Sequence, residues 1–124
     1  MKYKVLEKTE VLEPCKKLCK KLKMQGYILK WRRLDALDYY HEPGDPDLEI
    51  WIKRGNCLCI IMAECKYGKG KLRPSQVSCM DKYSGFKNVF YTIIDDVNKL
   101  QSLILGLDDN IYLNQELFNE FKNL

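Results

Sequence analysis

Three residues carry the types and spacing that chemistry needs: Asp47, Glu64 and Lys66. Asp47 follows the rigid Pro46 and opens one apolar run, while Glu64-Cys65-Lys66 closes the next, whose middle (58–63) is the most apolar stretch of the chain. Side chains two apart in a β-strand face the same side. Glu64 and Lys66 therefore project together, and Cys65 points the opposite way, into the core. Arg54-Gly55-Asn56 reads as a hairpin turn between the two runs and sets position 47 across from position 64. Three ionisable groups thus gather at one end of a sheet, where isolated charges are costly without a partner or a metal.

Oxygen ligands from Asp47 and Glu64 suit a hard divalent cation, Mg²⁺ or Mn²⁺, and the backbone carbonyl of Cys65 can complete the protein side. Such an ion polarises a phosphate oxygen and lowers the pKa of a bound water. Lys66 beside it can orient or deprotonate that water, or stabilise charge building on phosphorus. Phosphodiester hydrolysis needs a set of this kind. The chain has one histidine, His41, which excludes paired-histidine mechanisms, and no cysteine has an obvious base partner.

The elements that must position these groups follow from periodicity. Val11, Cys15, Leu18 and Leu22 recur at helical steps between Glu10 and Gln25, with Lys16, Lys17, Lys20 and Lys21 falling elsewhere. Thr9 is a plausible N-cap, Pro14 suits a first turn so the regular helix is expected nearer Glu13, and Gly26 is a stop. A first strand is expected over 27–32, a loop over 33–46, a second strand over 47–53 and a return strand over 57–66. A basic Gly/Lys loop (67–74) leads to a helix capped by Ser75 and running to about Tyr83. A strand over 88–94 precedes a helix capped by Asp95 or Asp96, and a last helix from about Asp109 puts Leu113, Leu117, Phe121 and Leu124 on one stripe. The order α-β-β-β-α-β-α-α predicts one α/β domain spanning 1–124, a mixed β-sheet flanked by helices.

With 124 residues, 46% of them hydrophobic, the chain can bury one core and is too short for two domains of usual size. No secretory leader or membrane-length apolar run is present, so an intracellular protein is expected, in the cytoplasm or in the nucleus of a eukaryotic host. The six cysteines are then expected to be reduced and structural. Cys57, Cys59 and Cys65 fit as small buried side chains of a hairpin. Zinc on Cys15, Cys19, Cys57 and Cys59 is an alternative, although neither spacing is a CxxC knuckle. The net charge of +4 hides an asymmetry: residues 1–87 hold 19 Lys and Arg against 11 Asp and Glu, and residues 88–124 hold 2 against 6. A basic bias of this kind prepares a protein for a polyanion.

Gly44-x-Pro46-Asp47-Leu48, then Ala63-Glu64-Cys65-Lys66, then the basic loop and Gln76, resembles the PD-(D/E)xK nuclease superfamily, and within it the VRR-NUC (virus-type replication-repair nuclease) branch. The resemblance covers about residues 7–94 and rests on the joint order of short motifs. It implies a restriction-endonuclease-like fold and a Mg²⁺- or Mn²⁺-dependent DNA endonuclease. Asp47 and Glu64 would be metal ligands and Lys66 the catalytic lysine, with Gln76 on the facing helix holding a water or phosphate. A helical glutamate would join them. Glu10 fits the family spacing to Gly26 best, Glu7 and Glu13 lie one turn away, and Pro14 departs from the usual pattern. Small members of the branch resemble Holliday-junction resolvases, which implies a homodimer acting on branched or otherwise structured DNA. Lys69, Lys71 and Arg73, together with Lys30, Arg32 and Arg33, would hold phosphates, and Tyr39 and Tyr40 would stack on bases or pack the loop. The competing readings are a non-catalytic nucleic-acid-binding module and a zinc-stabilised interaction domain.

Overall fold

The amphipathic start of the chain is helical from its first described turn. In the computed structural model, which describes residues 5–34, 44–68 and 71–109, a π-helical segment Glu7–Leu12 runs straight into helix α1, Glu13–Met24. The wide turn has a cause in Pro14. It has no N–H to give the carbonyl of Glu10, and its ring crowds that carbonyl. The preceding segment instead bonds one residue further on, as in Glu13 N–H to the Lys8 carbonyl. The regular α-helix thus begins at Glu13, as expected, but Thr9 does not cap it: it lies inside the π-helical segment before it, its hydroxyl donating to the Val5 carbonyl at 2.9 Å. Gly26, at φ +89°, takes the left-handed turn that ends α1.

Strands β1 (Lys30–Arg33), β2 (Leu48–Arg54) and β3 (Cys57–Cys65) follow, then helix α2 (Pro74–Tyr83), strand β4 (Val89–Ile94) and helix α3 (Val97–Asp109). The sheet order is β1-β2-β3-β4, with the first two pairings antiparallel and β3–β4 parallel. A parallel pair needs a crossover, and α2 supplies it. The chain is thus a mixed α/β protein with a four-stranded mixed sheet. β1 is shorter than expected: Tyr27 and Ile28 still bond to the Leu22 carbonyl, so the strand starts only at Lys30. Asp96 caps α3 through Asn98 N–H at 2.7 Å. At α2 the expected Ser75 cap is replaced: Arg73 is the N-cap and Pro74 opens the first turn.

Strand alternation divides the sheet into two faces. Leu48, Ile50 and Ile52 of β2, with Cys59, Ile61, Ala63 and Cys65 of β3, face one core. Val11, Cys15, Leu18, Cys19 and Leu22 of the first helix pack there, as do Leu100, Leu103 and Ile104 of α3. On the other face Met62 of β3 and Tyr91 of β4 pack under Cys79 of α2, with Met80 and Tyr83 beside them. Burial of such side chains, worth about 1.5–3 kcal/mol each, holds the layers together. No described helix is long and apolar enough to cross a membrane.

The six cysteines are free. Five are buried as expected, but Cys57, at the exposed start of β3, is not. Cys15 and Cys19 sit under the sheet, whereas Cys57 and Cys59 lie at the hairpin end of β3. Among the described residues, these four do not form a cluster of metal-ligand spacing. The expected final helix with Leu113, Leu117, Phe121 and Leu124, the loop residues Tyr39, Tyr40 and His41, and Lys69 lie outside the described residues.

Candidate metal and catalytic site

The hairpin does what strand parity required. Leu48 pairs with Ala63, which places Asp47 across from Glu64 at the open end of β2 and β3. Asp47 is fixed there by the backbone, its Oδ2 accepting the Cys65 N–H at 2.8 Å. The Cys65 side chain is fully buried on the opposite face, as alternation demands, and its thiol meets that of Cys15, tying α1 to the strand beneath the site. The backbone carbonyl of Cys65, the donor expected beside Asp47 and Glu64, therefore belongs to a residue anchored on both sides.

Glu64 is 3% exposed, a deep position for a carboxylate. Its Oε1 accepts the Gln76 Nε2 amide at 2.8 Å and lies 3.6 Å from Lys66 Nζ. Its Oε2 is buried and has no hydrogen-bond partner. Burial pushes the Glu64 carboxyl up to about 8; the Asp47 charge adds to the rise, and Lys66 opposes it. Lys66 is itself 8% exposed.

The third acid is Glu7. Ligand oxygens of Glu7, Asp47 and Glu64 all lie within 4.8 Å of one another, and no other such cluster occurs among the described residues. Glu10, which the spacing to Gly26 favours, is exposed and outside it; Glu13 is also outside and pairs with Lys16 at 3.1 Å. A signal for Glu7 was present in the sequence. Stepping the buried stripe Leu22, Leu18, Cys15, Val11 back by one turn of four residues lands on Glu7, whereas Glu10 shares the face of Lys17 and Lys21.

Gln76, expected to hold a water or phosphate, is 1% exposed and engaged at both ends of its amide. Its Oε1 accepts the Arg73 N–H at 2.8 Å, capping α2, while Nε2 donates to Glu64. It orients the carboxylate and secures the basic loop in front of it. Gly44 allows that helix to approach: at φ +90°, a Cβ there would run into the Ser75 carbonyl and lie 3.2 Å from Gln76 N. Tyr91, buried on β4, donates its hydroxyl to the Gly44 carbonyl at 3.3 Å.

The expected phosphate-binding cations are split between two places. Lys71 and Arg73 are exposed on the approach to α2, close to Gln76. Lys30, Arg32 and Arg33 are exposed on β1, with Arg32 bonded to Glu49 at 3.2 Å. No family model matches this sequence, and neither a curated protein nor a solved structure does.

Proposed function

We propose that the chain is a metal-dependent DNA endonuclease with a restriction-endonuclease-like core, a homodimer acting on branched or otherwise structured DNA. One observation carries the reading: three carboxylates from separate elements converge within 4.8 Å, with a buried, unpartnered Glu64 oxygen among them and Lys66 beside it. An acidic cluster on a surface needs no metal, but a buried carboxylate oxygen without a donor is a costly arrangement that a cation relieves. All the donors are hard oxygens, which fits Mg²⁺ or Mn²⁺ and not a soft metal.

Glu7, Asp47 and Glu64 would hold the ion, with the Cys65 carbonyl as a further donor. When bound, it supplies Lewis acidity and an activated water. The protein's own groups do the rest. Gln76 and the Cys65 N–H fix the two central carboxylates in place. Lys66, held close to Glu64, offers a cation or a proton acceptor to water and phosphate at the same spot. Lys71 and Arg73 set the approaching backbone by charge.

The test is cleavage of linear duplex, single-stranded, flap and four-way-junction DNA with Mg²⁺, Mn²⁺ or EDTA. Metal-dependent cutting is expected, and Glu64→Ala or Lys66→Ala should slow it by about 10²-fold or more. Cutting that persists in EDTA, or that survives both substitutions, overturns the site. DNA binding without any cutting would mark a binding module, and stoichiometric zinc would mark a zinc-stabilised domain.

A further inference from the structure

Helix α2 lies over β3 and β4, on Met62 and Tyr91, and no described helix packs across the other half of that face. Alternation puts Glu49, Trp51 and Lys53 of β2 there, opposite Arg32 and Lys30 of β1 and Leu58 of β3. These residues are organised. Glu49 accepts the Trp51 indole N–H at 2.7 Å and the Arg32 guanidinium at 3.2 Å. Lys30 lies over the Trp51 ring, 4.6 Å from its centre. Lys30, Arg32 and Lys53 are exposed, while Glu49, the one acid among these residues, is already paired with Arg32. The result is a flat aromatic platform, pinned by one carboxylate and surrounded by cations.

The platform is continuous with the carboxylate site. Asp47 lies four residues before Trp51 on the same side of the sheet, about 13 Å away at strand rise. That distance spans about four nucleotides of a stacked strand.

We propose that this half of the sheet binds an unpaired nucleic-acid strand, with Trp51 stacking a base and Lys30, Arg32 and Lys53 holding phosphates. Charge complementarity selects a polyanion, and the half-buried indole selects one with exposed bases. Base stacking on an aromatic ring outweighs an exposed cation–π contact, so a base displaces the Lys30 ammonium, which then meets a phosphate. The substrate's single-stranded arm would run over β2 towards Asp47 and Glu64; this direction of travel rests on the nuclease reading, and the platform itself does not.

The experiment is binding of a dT oligonucleotide of about 12 nucleotides, in EDTA, followed by fluorescence in a Trp31→Phe background where Trp51 is the only tryptophan. Quenching of Trp51 is expected, with about tenfold weaker binding for Trp51→Ala and partial rescue by Trp51→Phe. Lys30→Glu and Lys53→Glu, at exposed positions that keep the fold, should weaken binding and flatten its salt dependence. Unchanged dT binding in both charge variants, or no quenching, overturns the platform. A blunt duplex that binds as tightly through the same residues overturns the unpaired strand as occupant, as does a protein dimer that buries the face and excludes dT. Metal-dependent cutting with unaffected dT binding would remove this proposal and leave the nuclease reading standing; quenching without cutting would do the reverse.

Discussion

At the scale of single residues, Glu64 concentrates the tension in the molecule. It is buried, next to Asp47, and offered one lysine and one amide. Its carboxyl is pushed up to about 8 by burial first and by Asp47 second, against about 4.5 for an ordinary glutamate. Between those values the folded, metal-free protein retains a proton that the unfolded chain has released. Stability is therefore highest below about pH 4.5 as far as this group is concerned, falls as pH rises, and levels off above about 8. The slope should appear in urea-denaturation midpoints measured in EDTA across pH 5 to 9, and Glu64→Gln should flatten it and stabilise the protein at the alkaline end. Saturating Mn²⁺ should also flatten it, because a bound cation favours the ionised carboxylate. A wild-type midpoint that rises with pH in EDTA would contradict the burial of an uncompensated acid.

At the scale of elements, the hairpin and the α-helix Glu13–Met24 were legible and the π-helical segment before that helix was not, for physical reasons. Period-2 alternation is local and rigid, so a turn at Gly55 fixes which β2 residue faces which β3 residue; Asp47, Glu64 and Lys66 follow from parity alone. Gln76 was legible as a position but not in its role, since its two hydrogen bonds depend on how closely α2 approaches β3. The glutamate on the first helix was harder. Counting from Gly26 assumes a regular helix, and Pro14 makes the segment before it π-helical. The phase of Glu7 is set by packing of Val11 and Cys15 against the sheet, which the hydrophobic stripe records and the distance to Gly26 does not. Glu7→Ala should therefore weaken Mn²⁺ binding by about tenfold or more, while Glu10→Ala, on the solvent side, should leave it unchanged. Titration calorimetry on the two folded variants decides between them; equal losses would mean that the helix is rotated relative to this arrangement.

At the scale of the whole molecule, the proposed nuclease activity requires charge that can hold a long anion. The excess of Lys and Arg over residues 1–87, set against the acidic balance of residues 88–124, is visible in composition alone. What composition could not give was its distribution in space. Two groups of exposed cations flank the carboxylate cluster, Lys30, Arg32 and Lys53 on the open half of the sheet and Lys71 and Arg73 on the approach to α2, while further exposed lysines lie on the first helix. A polyanion crossing both sides passes the carboxylates between them. About five phosphate contacts on a single strand that crosses both sides predict that log K for binding falls with log salt at a slope of about −3.5, and about two contacts on blunt duplex predict a slope of about −2. The two groups should separate by substrate. Removing Lys71 and Arg73 together should lower the slope by about 2 on duplex DNA, because their effect is charge at the site entrance. Removing Lys30 and Lys53 should lower it on dT and barely alter it on blunt duplex. Fluorescence-anisotropy titrations from 50 to 200 mM salt, in EDTA, read both slopes directly. If neither pair changes either slope, the basic balance of the chain is a solvated surface, and the anion reaches the site by another route.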